Sequence, residues 1–217
     1  MLACTKTKFF HSFELPNETV HGLSALDSQR RYADVIFKHS VAGKSVVDIG
    51  AWDGFYSFEA ERRGASRVLA TDHFCWSGPG WGTKDGFDYV HERLNSKVES
   101  LDVDVFDLDP KQIGTFDVTM MLGVLYHLPN PFGGLEKAAS LTKELLVVET
   151  HSDMNDRPEP VMRYYLSAEL NGDGSNYWGP NILCLENMLR ELHFTKFETW
   201  RAPGFSNSGR IIMHAWR

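Results

Sequence analysis

Residues 44–73, KSVVDIGAWDGFYSFEAERRGASRVLATDH, change character from strand to turn to helix to strand within one short stretch. Ser45 to Ile49 is apolar and β-branched, the pattern of a strand buried on both faces. Gly50 to Gly54 reads as a turn, Phe55 to Arg63 as a helix closed by Gly64, and Arg67 to Thr71 as a second strand. The order strand, helix, strand makes a βαβ unit, and its right-handed crossover sets the two strands side by side and parallel. A chain containing such a unit must cover a sheet with helices.

The remaining segments continue the alternation. Ser24 to Ser40 carries Leu26, Tyr32, Ala33, Ile36 and Phe37 at helical spacing, with Gly43 beyond as a stop. Lys84–Asn95 reads as a helix, Lys97–Val103 and Phe116–Met121 as strands, Phe132–Leu141 as a helix and Leu145–Thr150 as a strand. Cys184–Leu192 is a further helix, and Phe197–Arg201 and Arg210–Trp216 are strands joined by the short RAPGFSNSG turn, which predicts an antiparallel pair. The expectation is a doubly wound α/β sheet with one reversed edge region, in a single domain spanning residues 1–217. Residues 1–23 have no clear period and read as an arm or short hairpin. Residues 73–87 and 151–181 are long for plain connectors and hold three Trp, three Tyr and two Phe between them, so they read as ordered lids.

Composition narrows the class. The 217 residues include 22 Lys and Arg against 29 Asp and Glu, a net charge of −7, which argues against coating nucleic acid by bulk electrostatics. Hydrophobic residues at 42% suffice for a core. Cys4, Cys75 and Cys184 are scattered and odd in number, offering neither a disulfide framework nor a CxxC metal pair, so a reducing compartment is expected. The N-terminal stretch lacks the apolar core of a signal peptide, and no run of apolar residues is long enough to span a membrane. A soluble cytoplasmic protein is the expectation.

The first turn carries chemistry. In VVDIGAWDGFYSF an acid, Asp48, ends the first strand, Gly50 follows, and Gly54 opens a helix. Glycine there lets a ligand approach the backbone, and the carboxylate can organise loop amides and accept bonds from a cationic ligand. A pyrophosphate is a poor fit beside that carboxylate, and an amino-acid-bearing nucleoside is a good one. With these residues the chain resembles the class I S-adenosylmethionine-dependent methyltransferases over about residues 44–217. The resemblance implies a Rossmann-like, mostly parallel seven-stranded sheet with an antiparallel terminal hairpin, and S-adenosylmethionine as cofactor. It further implies that Asp48, Gly50, Ala51 and Gly54 hold the methionine part and that Asp72, with His73 beside it, meets the ribose. Asp104 and Val105 would meet the adenine, with Leu122 also in the cofactor set. Trp52 departs from the pattern, standing where many members carry a glycine.

A narrower resemblance lies in GVLYH (123–127), the proline-containing turn after it, and the strand ending in Glu149 and Thr150. It is similar to the branch typified by bacterial tRNA wobble-uridine carboxymethyltransferases, with looser matches at Arg163, Tyr164, Tyr177, Trp178 and Pro180. The GPGWGTKDG insertion and the acidic charge favour a small hydroxyl-bearing metabolite, sugar or lipid-linked acceptor over whole tRNA, which stands as the second reading beside a non-catalytic cofactor-binding module. A carboxymethyl donor would need cations beside Tyr126, and Lys8 and Arg210 lie in broadly corresponding regions; plain methyl transfer is preferred.

His127, after the fourth strand of the sheet, is the leading general base, with Tyr126 beside it, because methyl transfer to a hydroxyl is helped by removing its proton. The alternative is that His127 only shapes the turn before Pro129. Trp76, Trp81, Tyr164 and Trp178 could wall an acceptor pocket or pack the lids. Lys84 and Arg163 could meet an acidic acceptor or pair with surface acids, and His151 could contact substrate or shape a turn. His73, Asp72, Glu149 and His151 match no recognised metal spacing, and no metal is expected.

Overall fold

The computed structural model describes residues 7–203 and 209–217. Cys4 and residues 204–208 of the final turn lie outside them. The chain divides into two compact units, with the boundary between Asp107 and Leu108.

The first unit holds a short antiparallel hairpin, β1 (Phe13–Leu15) and β2 (Glu18–Val20), then α1 (Leu26–Ile36). The βαβ unit follows as β3 (Ser45–Ile49), α2 (Phe55–Arg62) and β4 (Arg67–Asp72), and then come α3 (Asp85–Leu94) and β5 (Glu99–Asp102). β3 pairs with β4 and β4 with β5, both in parallel. Val46, Val47, Ile49, Val68, Leu69 and Ala70 are buried, as the unbroken apolar runs require of strands covered on both faces. Phe58 and Ala60 of α2 and Phe87 and Val90 of α3 supply further core. The outward side of α2 is solvated, with Glu59 paired to both Arg62 and Arg63.

The second unit runs α4 (Pro110–Ile113), β6 (Phe116–Leu122), α5 (Pro131–Leu141), β7 (Thr142–His151), β8 (Met162–Tyr164), β9 (Trp178–Pro180), α6 (Ile182–Glu191), β10 (Lys196–Arg201) and β11 (Arg210–Trp216). β6 and β7 are parallel, and β11 runs antiparallel to both β7 and β10. Met120, Met121, Leu146, Val148, Ile212 and Met213 form the centre, closed by Leu135 and Leu141 of α5 and Leu185 and Leu189 of α6. Each of these two helices starts on a side-chain cap. Asn130 accepts from the Gly133 N–H with Pro131 in the first turn, and Asn181 accepts from the Cys184 N–H.

The main sheet has the order β10-β11-β7-β6-β3-β4-β5; β3, β4 and β5 are parallel within the first unit, β6 and β7 within the second, and β11 runs against both its neighbours. This is the α/β arrangement expected, with differences in detail. The first helix is shorter than the Ser24–Ser40 span, and the third strand of the parallel set contracts to Glu99–Asp102, whose residues are all exposed. The 151–181 segment is not plain loop: β8 and β9 form a two-stranded antiparallel sheet within it. The expected terminal hairpin is present as β10 and β11. Among the described residues no helix is long and apolar enough to cross a membrane.

Candidate functional site

In the first unit the β3–α2 turn is wound tightly. Gly50, Trp52 and Gly54 all take left-handed φ, at 78°, 53° and 84°. Trp52 thus keeps the backbone conformation for which glycine is ordinarily chosen, at a cost of about 1–2 kcal/mol for an L-residue. Its contacts offset that cost. The Trp52 N–H donates to Asp72 Oδ2 at 2.9 Å, its carbonyl accepts from the Trp76 indole at 2.6 Å, and its ring stacks on Phe10 with centroids 4.2 Å apart. The Gly50 and Ala51 N–H groups both donate to the Thr71 carbonyl, so the loop is tied to the end of β4.

Asp48 sits at the end of β3, 2% exposed, and accepts from the Ser57 hydroxyl at 2.6 Å. Burial pushes its carboxyl up to about 6, with Ser57 and His11 pulling the other way. Asp72 is also buried, with each oxygen taken by a backbone donor, Trp52 N–H on one and Cys75 N–H on the other. An ionised carboxylate has about four lone-pair sites, so two remain. Asp104 is half-buried, accepts from the Phe106 N–H at 2.8 Å and thereby caps the turn that begins at Val105. His73 bonds Asp102 and Ser77, both at 3.0 Å. These acceptors suit a nucleoside bearing an ammonium group, and the Trp52 indole Nε1 is buried with no acceptor among the described residues.

Asp53 went unnoticed in the sequence. It is 2% exposed, and Oδ2 accepts from the N–H groups of Phe10 and His11 at 2.8 and 2.9 Å, while Oδ1 pairs with the His11 ring. The glycine loop therefore fastens the arm that precedes β1. Trp76, read as acceptor wall or lid packing, is buried in the core, 2% exposed and packed on Phe87. Trp81 meets Trp52 edge to face at 4.7 Å. Lys84 is paired with Asp88 at 2.9 Å, bonds Ser100 and lies over the Trp76 and Phe87 rings.

In the second unit the GVLYH run forms a tight turn after β6, with half-buried Leu122 at the strand end. Gly123 takes φ 72° and its N–H donates to the Glu149 carbonyl. Tyr126 is buried, its hydroxyl accepts from Arg210 at 3.0 Å, and Arg210 in turn holds Glu149. Burial raises the Tyr126 phenol above its ordinary value. His127 lies against the Tyr126 ring, centroids 4.1 Å apart, and its Nδ1 donates to the Ser175 carbonyl at 2.9 Å. Burial holds its pKa below the ordinary histidine value.

The 151–181 residues form a second network. Tyr165 donates to Asp153 at 2.7 Å and accepts from His151 Nε2 at 2.8 Å. Arg163 binds Asp153 and Glu169 and covers the Tyr165 ring, so its charge is answered by surface acids. Tyr164 is 52% exposed and meets Trp178 edge to face at 5.0 Å, and the Trp178 indole Nε1 is buried with no acceptor among the described residues.

No protein-family model matches the chain. A tRNA U34 carboxymethyltransferase of Psychrobacter cryohalolentis is 28% identical over 171 residues, covering 72% of this chain and 45% of that relative. The chain thus spans less than half of that relative's length. Among solved structures, the N-terminal domain of EvdMO1 in the presence of SAH and D-fucose superposes with a TM-score of 0.72 at 19% identity, covering 98% of this chain and 92% of that one. The Burkholderia thailandensis 1,6-didemethyltoxoflavin-N1-methyltransferase, with its namesake and S-adenosylhomocysteine bound, gives 0.62 at 19% identity, covering 88% and 78%. The chain has the fold of the class I S-adenosylmethionine-dependent methyltransferases.

Proposed function

We propose that this chain is a methyltransferase that uses S-adenosylmethionine and acts on a hydroxyl of a small acceptor, of which a sugar is the leading type. When bound, the cofactor supplies a methyl group on a sulfonium. Asp48 would face its ammonium group, Gly50 and Ala51 would admit its methionine part, Asp72 and His73 would take the ribose, and Asp104 and Val105 would take the adenine. In the second unit Leu122 adds apolar contact, and His127 accepts the proton of the acceptor hydroxyl.

The observation that carries this reading is the hydrogen bond from His127 Nδ1 to the Ser175 carbonyl. A carbonyl only accepts, so Nδ1 bears the hydrogen and the neutral ring has its lone pair on Nε2. That is the form a general base needs. The structural likeness to a domain crystallised with SAH and D-fucose supports the sugar class. Two measurements test the proposal. Calorimetry with S-adenosylmethionine and S-adenosylhomocysteine is expected to show micromolar binding, and no heat with either would defeat it. Transfer of labelled methyl to a sugar panel is expected, with His127→Ala lowering kcat by about 10²-fold or more.

Two observations favour a second reading, carboxymethyl transfer to tRNA: the 28% identity to a tRNA U34 carboxymethyltransferase, and Arg210 reaching Tyr126, the residue beside which a carboxylate on the donor would need a cation. The Glu149 carboxylate already answers that cation with two bonds, which is why methyl transfer is preferred. Turnover with a carboxylated donor and a tRNA pool, and none with sugars, would reverse the order.

A further inference from the structure

His127 does not stand alone on its loop. The Ser175 hydroxyl donates its single hydrogen to Asp173 Oδ1 at 2.7 Å, and the Ser175 N–H donates to the same oxygen at 2.9 Å. With its hydrogen committed, that hydroxyl faces His127 Nδ1, 3.0 Å away, as an acceptor. The Ser175 carbonyl is a second acceptor at 2.9 Å. Nδ1–H is therefore bracketed by two oxygens of one residue, and a carboxylate sets which way one of them points. Two more bonds brace the segment: the Tyr177 N–H donates to the Tyr126 carbonyl at 2.8 Å, and the Asn176 side chain donates to the Leu170 carbonyl at 2.9 Å.

We infer that Asp173, acting through Ser175, is the positioning residue that holds His127 in its Nδ1–H form and so presents the Nε2 lone pair to the acceptor. The inference deepens the proposed methyl transfer and rests on it for its catalytic consequence. As the acceptor oxygen bonds to the methyl carbon, the bond from carbon to sulfur breaks with its electron pair leaving on sulfur, and the hydroxyl proton passes to Nε2. The resulting imidazolium carries hydrogens on both nitrogens and releases one to water after turnover. The charged and titratable groups around the ring are Asp173, Glu149, Arg210 and the Tyr126 phenol. The two Ser175 bonds, backbone first and hydroxyl second, hold the Asp173 carboxyl below its usual range, so it is anionic throughout the neutral region.

The test is heteronuclear NMR of the full chain with ¹⁵N-labelled histidine, the His127 signals being assigned by their loss in His127→Asn. The wild type is expected in the Nδ1–H form above neutral pH. Asp173→Ala removes the acceptor of both the Ser175 N–H and the Ser175 hydroxyl, so it releases the residue whose carbonyl faces Nδ1 and frees the hydroxyl to donate there instead; the ring is expected to shift towards the Nε2–H form, with kcat falling about tenfold at unchanged KM. Asp173→Asn keeps an acceptor for Ser175 and is expected to retain the Nδ1–H form, while the loss of negative charge moves the acid limb of the kcat profile to lower pH. Wild-type His127 in the Nε2–H form, or an unaltered tautomer in a folded Asp173→Ala variant, would overturn the inference. Because the NMR readout needs no cofactor or acceptor, absence of methyl transfer with the expected tautomers would count against the proposed function and leave the role of Asp173 standing.

Discussion

Arg210 grips Glu149 with two parallel bonds, Nε to Oε1 and Nη2 to Oε2, each 2.6 Å long. The carboxylate side chain is only 5% exposed and the guanidinium side chain 18%, so neither charge has much water. A buried pair of this kind is costly to break from one side, because the remaining charge is left uncompensated, at about 3 kcal/mol or more. Glu149→Gln is therefore expected to lose about 3 kcal/mol in urea unfolding. The double change Glu149→Leu with Arg210→Met removes both charges together and is expected to lose less than the single change. A double variant less stable than Glu149→Gln would refute this account.

On the proposed function, Asp48 sets stability against ligand binding. Burial, above all, lifts its carboxyl from 3.8 to about 6. Between those two values the folded chain keeps a proton that the unfolded chain gives up. The carboxyl's contribution to stability is thus fully present below about 3.8 and is lost as the pH rises through about 6. At pH 7.5 the ionised, buried group costs on the order of 2–3 kcal/mol. Asp48→Asn should be more stable than wild type at pH 7.5 and gain nothing at pH 4, while its affinity for S-adenosylmethionine falls at least tenfold. Melting curves at the two pH values and a binding isotherm check both halves, and a variant destabilised equally at both pH values would exclude the burial argument.

Much of this fold was legible because its strands are buried on both faces. The runs at 45–49, 67–72 and 116–122 need no partner to be recognised as strands. β8 and β9 were not legible, since each has three residues and their pairing joins positions on either side of a long turn-rich stretch. The site divides in the same way. Asp48, Gly50 and Gly54 are read from spacing within one turn. Asp53 and Asp173 act on His11 and, through Ser175, on His127, partners some 40 residues or more away in the chain. Nothing local marks those acids off from the solvated ones. Trp76 stayed open between acceptor wall and packing because an aromatic residue in a glycine-rich segment has the same pattern whether it faces a ligand or the core.

Asp53 is expected to be worth more to the arm than any apolar contact there. Two backbone N–H groups and the His11 ring depend on its carboxylate, and all are buried or nearly so. An amide left without an acceptor costs about 1–3 kcal/mol. Asp53→Ala should destabilise the chain by about 3 kcal/mol and speed hydrogen exchange at the Phe10 and His11 amides. Exchange at these two amides no faster than in wild type would mean that the Phe10–Trp52 stack, with ring centroids 4.2 Å apart, is enough to hold the arm.

Gly54 and Gly123 both take left-handed φ, 84° and 72°, but in different surroundings. A Cβ on Gly54 would lie 2.7 Å from ring atoms of both Phe58 and Phe87, two rings buried in the core. On Gly123 its nearest neighbours would be Arg210 and Glu149 at 3.7 Å and the Tyr126 hydroxyl at 3.8 Å, ordinary contact distances. Gly123→Ala should thus cost only the backbone strain, about 1–2 kcal/mol. Gly54→Ala adds overpacking of about 1–3 kcal/mol to a similar strain. Denaturant midpoints of the two variants separate the terms, and the prediction fails if Gly54→Ala proves no less stable than Gly123→Ala.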